Sequence, residues 1–298
     1  MKKCLKILAA AAISAVMVLS LAACGGSASG DKHVIVGSKD FTEGEIIAEL
    51  YALALVDAGF TVERKMGIAG SVVHTSLTSG EIDLYPEYTG TGLITILKKK
   101  AMTDPDEVYK TVKKAYDEKF DVTWLDYAQA NDGEGLFVSK KVSDKYGIKT
   151  ISDLQKNAGK IRFATQGEFE EREDGMPGLE KLYGPFNWKS SKIYDNGLKW
   201  EVIDNDEADA ADAYTTEAHL SETDKYVLLE DDKHMWPPYN LAPVVRNDVL
   251  DKYPDIADAL NKLSATLDTE TVTELNAKVD LEGEEVEDVA SEYWDSVK

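Results

Sequence analysis

From residue 33 onward, short β-branched runs alternate with helix-patterned stretches, and this alternation restricts the possible folds more than any other feature of the chain. His33-Val34-Ile35-Val36-Gly37 reads as a strand. A helix follows: Thr42 and Glu45 fit a capping box, Ile46, Leu50, Leu53 and Ala54 supply an apolar face, and Gly59 fits the position just past its end. Residues 60–64 read as a second strand and residues 71–79 as a short helix, and Gly80-Glu81-Ile82 leads into a third strand. Strand, helix, strand, helix, strand predicts a parallel α/β layer.

The third strand runs into Asp83-Leu84-Tyr85-Pro86-Glu87-Tyr88-Thr89-Gly90-Thr91-Gly92. This places Tyr88 at the carboxyl end of a strand and Thr91 near the first turn of a new helix. Ligands collect at strand carboxyl ends in open α/β sheets, and free helix N-terminal N–H groups can receive an anionic oxygen. Taken alone, the segment is better read as a buried tyrosine followed by a Thr/Gly-rich turn. Fragments further along the chain shift that balance.

Residues 104–119 form an amphipathic helix with Val108, Val112 and Tyr116 on one side. Strand-like runs at 122–124 and 136–138 flank a polar loop, and a second α/β unit follows, with strands at 161–164 and 226–229 and helices at 151–157 and 178–183. Pro237-Pro238 interrupts it, residues 241–245 are again strand-like, and residues 254–298 read as helices with an acidic surface. The 298 residues suffice for one large or two medium domains. A formal net charge of -22 argues against a nucleic-acid partner and against a basic face on anionic lipid, and it favours long-range attraction of cations.

The N-terminus reads as a targeting segment, residues 1–23, with Lys2, Lys3 and Lys6 before an apolar run over residues 7–21. Leu21-Ala22-Ala23-Cys24 matches the bacterial lipobox. That resemblance implies cleavage before Cys24 and acylation of it, which would hold the protein to a membrane from outside the cytoplasm; two acyl chains anchor stably where one does so only marginally. An ordinary signal peptide with a chance cysteine, or an uncleaved spanning helix near the lower length limit, are the alternatives. Loss of the three lysines takes the formal charge from -22 to -25. Cys24 would then be the only cysteine, which excludes an internal disulfide and a cysteine-based zinc site. Residues 24–30 would be the lipidated cysteine and a flexible Gly/Ser/Ala tether.

Six fragments in order then carry a resemblance. They are Gly37-Ser38-Lys39 with Phe41-Thr42-Glu43, Gly67-Ile68-Ala69-Gly70-Ser71, Tyr88-Thr89-Gly90-Thr91, Arg172-Glu173-Asp174-Gly175-Met176-Pro177, Ala213-Tyr214-Thr215-Thr216 and Pro237-Pro238-Tyr239. The chain resembles the substrate-binding lipoproteins of ABC importers for glycine betaine, choline, carnitine and related quaternary-ammonium osmoprotectants. The resemblance implies an α/β, two-lobed type II periplasmic-binding-protein fold, with a hinge and a ligand cleft between lobes. One lobe would be residues 31–135 plus 239–298 and the other residues 136–238. It further implies an ABC permease with its ATPase subunits as partner, a lipid anchor, and no cofactor or metal.

A quaternary ammonium has no N–H, so directed N–H hydrogen bonds cannot hold it, and aromatic faces suit both its methyl groups and its charge. Tyr88, Tyr214 and Tyr239 match three cage tyrosines of the family. Trp200 and Trp236 lie near the motifs and are better read as core. Arg172 aligns with an arginine that takes the ligand carboxylate, for which its planar fork is suited; unliganded, it could pair with Glu170, Glu171 or Glu173. Lys39 and Thr91 match positions adding contacts from the other lobe. In Asn131-Asp132-Gly133-Glu134-Gly135, which adds Asp132 and Glu134 to the set, the family usually has a tyrosine where Glu134 aligns. A carboxylate there would favour a fully cationic ligand such as choline, or a betaine with extra donors; alternatively Glu134 is simply solvated. Another betaine such as ergothioneine is the alternative ligand of the same fold. His33, His74, His219 and His234 show no metal-ligand spacing, and no hydrolase or phosphate-loop motif occurs. An enzyme using the carboxylates of residues 168–174 is disfavoured, and a lipoprotein sensor of the same fold stays open.

Overall fold

Along β1 (His33–Lys39), Val34 and Val36 turn to one side of a sheet and Ile35 to the other, and both sides are covered by helices. A computed structural model describes residues 32–298; the leader, Cys24 and the tether lie outside the described residues. The first sheet has the order β2-β1-β3-β10-β4, with β2 spanning Thr61–Ile68, β3 Leu84–Tyr88, β4 Val122–Trp124 and β10 Leu241–Arg246. β1 runs parallel to β2 and β3, whereas β10 is antiparallel to both β3 and β4. The layer is therefore mixed, not wholly parallel as the alternation predicts, because β10 returns from the far end of the chain.

The second sheet repeats the plan as β7-β6-β8-β5-β9, with β5 at Glu134–Ser139, β6 at Arg162–Thr165, β7 at Ser190–Ile193, β8 at Ala210–Tyr214 and β9 at Tyr226–Leu228. Here β6 is parallel to β7 and β8, and β5 is antiparallel to β8 and β9. Each sheet thus organises one lobe of a two-lobed α/β fold. The chain crosses between them in two segments, which lie side by side where Asn131 bridges Asn240 and the Leu241 N–H donates to the Ala130 carbonyl at 3.1 Å.

The helix Thr42–Asp57 is buried over eleven of its sixteen residues, between β1 and the C-terminal helices Asp255–Ser264, Thr269–Asp280 and Val286–Val297. Such all-round burial takes in Glu43 and Glu49, whose carboxylates must then find partners inside. Glu49 finds Arg64, at 2.5 and 2.8 Å. The expected capping box is absent: Phe41 is the cap residue with no side-chain bond, and the Thr42 hydroxyl donates instead to Asp280, at 2.6 Å. A partner from the end of the chain has displaced the local one. Gly59, with φ +87°, takes the position past the helix end as expected.

Beyond β3 the backbone turns at once into the short helix Thr89–Thr91. Gly90 lies so close to the Tyr239 ring that a Cβ there would stand 2.6–2.7 Å from its carbons. Only glycine lets these segments meet, and the contact presses Tyr239 toward the carboxyl end of β3.

Candidate binding site

β3, β8 and the segment entering β10 bring Tyr88, Tyr214 and Tyr239 into the region between the two sheets. The Tyr88 hydroxyl donates to Glu43 Oε1 at 2.7 Å, the Tyr239 hydroxyl donates to Asp174 Oδ2 at 2.8 Å, and the Tyr214 oxygen accepts from Gln166 Nε2 at 2.9 Å. Two of these rings have an ammonium over the face: Lys39 Nζ is 4.9 Å from the Tyr88 centroid and Lys199 Nζ 5.3 Å from that of Tyr214. Phe41 joins the rings, with centroids 6.2 Å from Tyr88 and 5.2 Å from Tyr214.

Arg172 pairs with neither Glu170, Glu171 nor Glu173. Its Nε and Nη2 grip Asp174 at 2.9 and 2.7 Å, and Nη2 also lies 2.7 Å from Glu134 Oε1. Asp174 is buried and receives the Thr95 hydroxyl at 3.0 Å besides that of Tyr239, so one carboxylate ties the second lobe to two points on the first. Glu43 does the converse. It leaves the first lobe to accept the Thr216 hydroxyl at 2.5 Å, while Asn276 Nδ2 supports it at 3.0 Å. Asp132 accepts the Thr216 N–H at 3.2 Å. Glu134 is buried, not solvated.

The charges here do not balance. Lys39 pairs with Glu87 at 2.5 Å, Lys199 with Glu217 at 2.7 Å and Arg172 with Asp174. Glu43, Asp132 and Glu134 remain without a cation of their own. Burial pushes all three carboxyls up: Glu43 despite three side-chain hydrogen bonds, Asp132 well above its usual range with Glu43 nearby adding to the rise, and Glu134 to about 8 against the pull of Arg172. Two carboxylates share one guanidinium. Asp174 holds the fork, and Arg172 keeps its carboxyl below the usual value even though burial opposes this; Glu134 takes the proton. Glu217 is likewise raised by burial, to about 7, against Lys199.

A cavity of about 470 Å³ opens beside these groups, lined by Phe41, Glu43, Asp132, Trp200, Tyr214 and Glu217 among others. Its size suits a small ligand. Tyr214 and Asp132 thus face it, whereas Tyr88, Tyr239, Arg172, Glu134, Lys39 and Thr91 do not line it. Thr91 is buried at the turn after β3. Trp200 stacks on Phe137 at 4.2 Å as a core residue, and the Trp236 Nε1–H donates to the Asp174 carbonyl at 2.7 Å. Sequence reasoning did not place Phe41, Glu43, Asp174 or Thr216 in the site, although all four lie inside the quoted fragments. Glu217 and Lys199 carried no signal.

The chain resembles proteins of one transport family. The family described as "Substrate binding domain of ABC-type glycine betaine transport system" matches residues 32–296. The "Ergothioneine transport permease/ergothioneine binding protein EgtU" of Helicobacter pylori (strain G27) is 33% identical over 253 residues, 84% of this chain and 45% of that protein, so the chain spans just under half its length. The "Carnitine transport binding protein OpuCC" of Listeria monocytogenes is 30% identical over 279 residues, covering 92% of this chain and 89% of that one. Among solved structures, "Crystal structure of glycine betaine/carnitine/choline ABC transporter" is 26% identical with a TM-score of 0.69, covering 88% of this chain and 98% of that one.

The raised carboxyls fix a sign for stability against pH. A group that binds its proton more tightly folded than unfolded contributes stability that is fully present below its unfolded value and is lost as pH rises through its folded value. For Glu134 and Glu217 that window runs from about 4.5 to about 8 and about 7, respectively. The unliganded protein should therefore melt lower at pH 8.5 than at pH 6, by about 2 °C or more. Glu134→Gln, which carries no charge to bury, should reduce that drop. A melting temperature that rises over this interval, or an identical drop in the variant, would contradict the assignment.

Proposed function

The chain belongs to the family of substrate-binding domains of ABC-type glycine betaine transport systems, and we propose that it is a lipid-anchored extracytoplasmic receptor that closes around a quaternary-ammonium compound and delivers it to an ABC import permease. Residues 31–135 plus 239–298 form one lobe, residues 136–238 the other, and the two crossing segments act as the hinge. The ligand is of the glycine betaine, choline, carnitine and ergothioneine class.

The observation that carries this reading is the occupancy of the rings. The faces of Tyr88 and Tyr214 already hold lysine ammonium groups, so they are oriented to receive a cation. Tyr88 and Tyr239 spend their hydroxyls on Glu43 and Asp174, which fixes the orientation of both rings. The unbalanced carboxylates supply the charge: at an effective dielectric of about 20, a cation about 4 Å from one carboxylate gains about 4 kcal/mol before desolvation. Asp132, Glu43 and Glu134 act in this way once the bound cation displaces the protons that their raised carboxyls hold. For a zwitterionic ligand, Arg172 receives the carboxylate through Nη1, the edge that Asp174 does not use, with Thr91 and Lys39 adding contacts from the first lobe.

Titration calorimetry with glycine betaine, carnitine, choline and ergothioneine tests the class; absence of heat from every one of them would remove it. Tyr214→Ala should weaken the best ligand by about 1–2 kcal/mol, the range of a desolvated cation–π contact, and Tyr214→Phe by less, because the face remains. Equal losses in both variants would assign the effect to the hydroxyl. For the anchor, Cys24→Ala should move the protein from the membrane fraction to the soluble fraction or leave its leader uncleaved. A cleaved, acylated and membrane-bound variant would refute the lipid attachment.

A further inference from the structure

The sheet register puts Glu134 directly opposite Tyr214 on antiparallel strands β5 and β8, and side chains so paired stand on the same face about 5 Å apart. Glu134 therefore sits against the ring that also faces the cavity. Its side chain is 3% exposed. One oxygen, Oε1, meets Arg172 at 2.7 Å; the other, Oε2, is buried with no hydrogen-bond partner among the described residues. Without ligand a proton settles this carboxyl; once a bound cation displaces that proton, the buried oxygen is a carboxylate acceptor that calls for a donor from outside the protein.

Apart from Arg172 Nη1, assigned above to a ligand carboxylate, the donors around this oxygen are committed elsewhere. Arg172 has given Nε and Nη2 to Asp174, the Tyr239 hydroxyl goes to Asp174, and the Tyr88 and Thr216 hydroxyls go to Glu43. Gln166 points its amide N–H at Tyr214. We infer that Glu134 is a specificity-determining residue: its free carboxylate oxygen accepts a hydrogen bond from the ligand, so this site selects quaternary-ammonium compounds that also carry an O–H or N–H donor. Glycine betaine, which has only methyl groups and a carboxylate, has nothing to offer that oxygen. A hydroxyl two carbons from the ammonium, as in choline or carnitine, or a ring N–H, as in ergothioneine, does. The selection rests on the quaternary-ammonium reading of the same site, which it narrows.

The test uses ligands matched except for the donor, titrated calorimetrically into the full-length chain in detergent: choline against ethyltrimethylammonium, carnitine against γ-butyrobetaine, and ergothioneine against S-methylergothioneine, which has lost one ring N–H. Within each pair that binds, the member with the additional donor should bind about tenfold tighter or more, as expected of a hydrogen bond to a charged acceptor. Glu134→Leu should bring the two members to within about threefold of each other while the donor-poor member still binds. Glu134→Gln, which keeps the shape and an amide oxygen, should preserve part of the preference. Equal affinities within the pairs in the wild type, or an unchanged ratio in a folded Glu134→Leu protein, would overturn the inference. Should Glu134→Leu not fold, the wild-type ratios decide alone. If none of the six compounds binds, the quaternary-ammonium reading itself fails and the selection falls with it.

Discussion

The arrangement between the lobes depends on an excess of buried negative charge. Three cations, Lys39, Lys199 and Arg172, are each matched by a carboxylate, and three more carboxylates, Glu43, Asp132 and Glu134, lie buried beside them. Water cannot reach these groups freely, and an unpaired buried charge is too costly to keep. The unliganded protein meets the constraint with protons, which is why all three carboxyls titrate high. A cation with no hydrogen-bonding demands meets it equally well, provided that its methyl groups find apolar walls. In the proposed site the rings of Tyr214 and Phe41, which line the cavity, would form such walls.

Two of these buried carboxylates, one paired and one not, also hold the lobes together. Asp174 reaches from the second lobe to Thr95 and Tyr239 on the first, and Glu43 reaches back to Thr216. Removing one partner of a buried ion pair costs about 3–5 kcal/mol, so loosening the Arg172–Asp174 pair would disturb closure and ligand contacts together. Under the proposed function, recognition and closure would therefore be coupled energetically. A ligand that settles the charge balance strengthens the groups that bridge the cleft.

Much of this was legible in the sequence. Strand runs marked all five strands of the first sheet but only β5, β6 and β9 of the second, missing β7 and β8, and the ordered fragments singled out Tyr88, Arg172, Tyr214 and Tyr239. What the sequence could not supply were contacts between residues far apart in the chain. Thr42 and Glu45 had the spacing of a capping box, yet the Thr42 hydroxyl is claimed by Asp280, 238 residues away. Arg172 has acidic neighbours on both sides, but its partners are Asp174 two residues on and Glu134 from β5. Glu43 appears in the sequence only as the end of a quoted fragment; its burial follows from the packing of the C-terminal helix carrying Asn276. The mixed sheets were missed for the same reason, since β10 joins β3 from the other end of the chain.

In the proposed site charge, and not only apolar shape, would hold the ligand. This is tested most directly by replacing the quaternary nitrogen of the tightest-binding compound with carbon, giving a tert-butyl isostere of nearly identical size and no charge. The account predicts a loss of about a hundredfold or more in affinity, since both the cation–π and the carboxylate terms disappear. Equal affinities for the ammonium compound and its carbon isostere would contradict it.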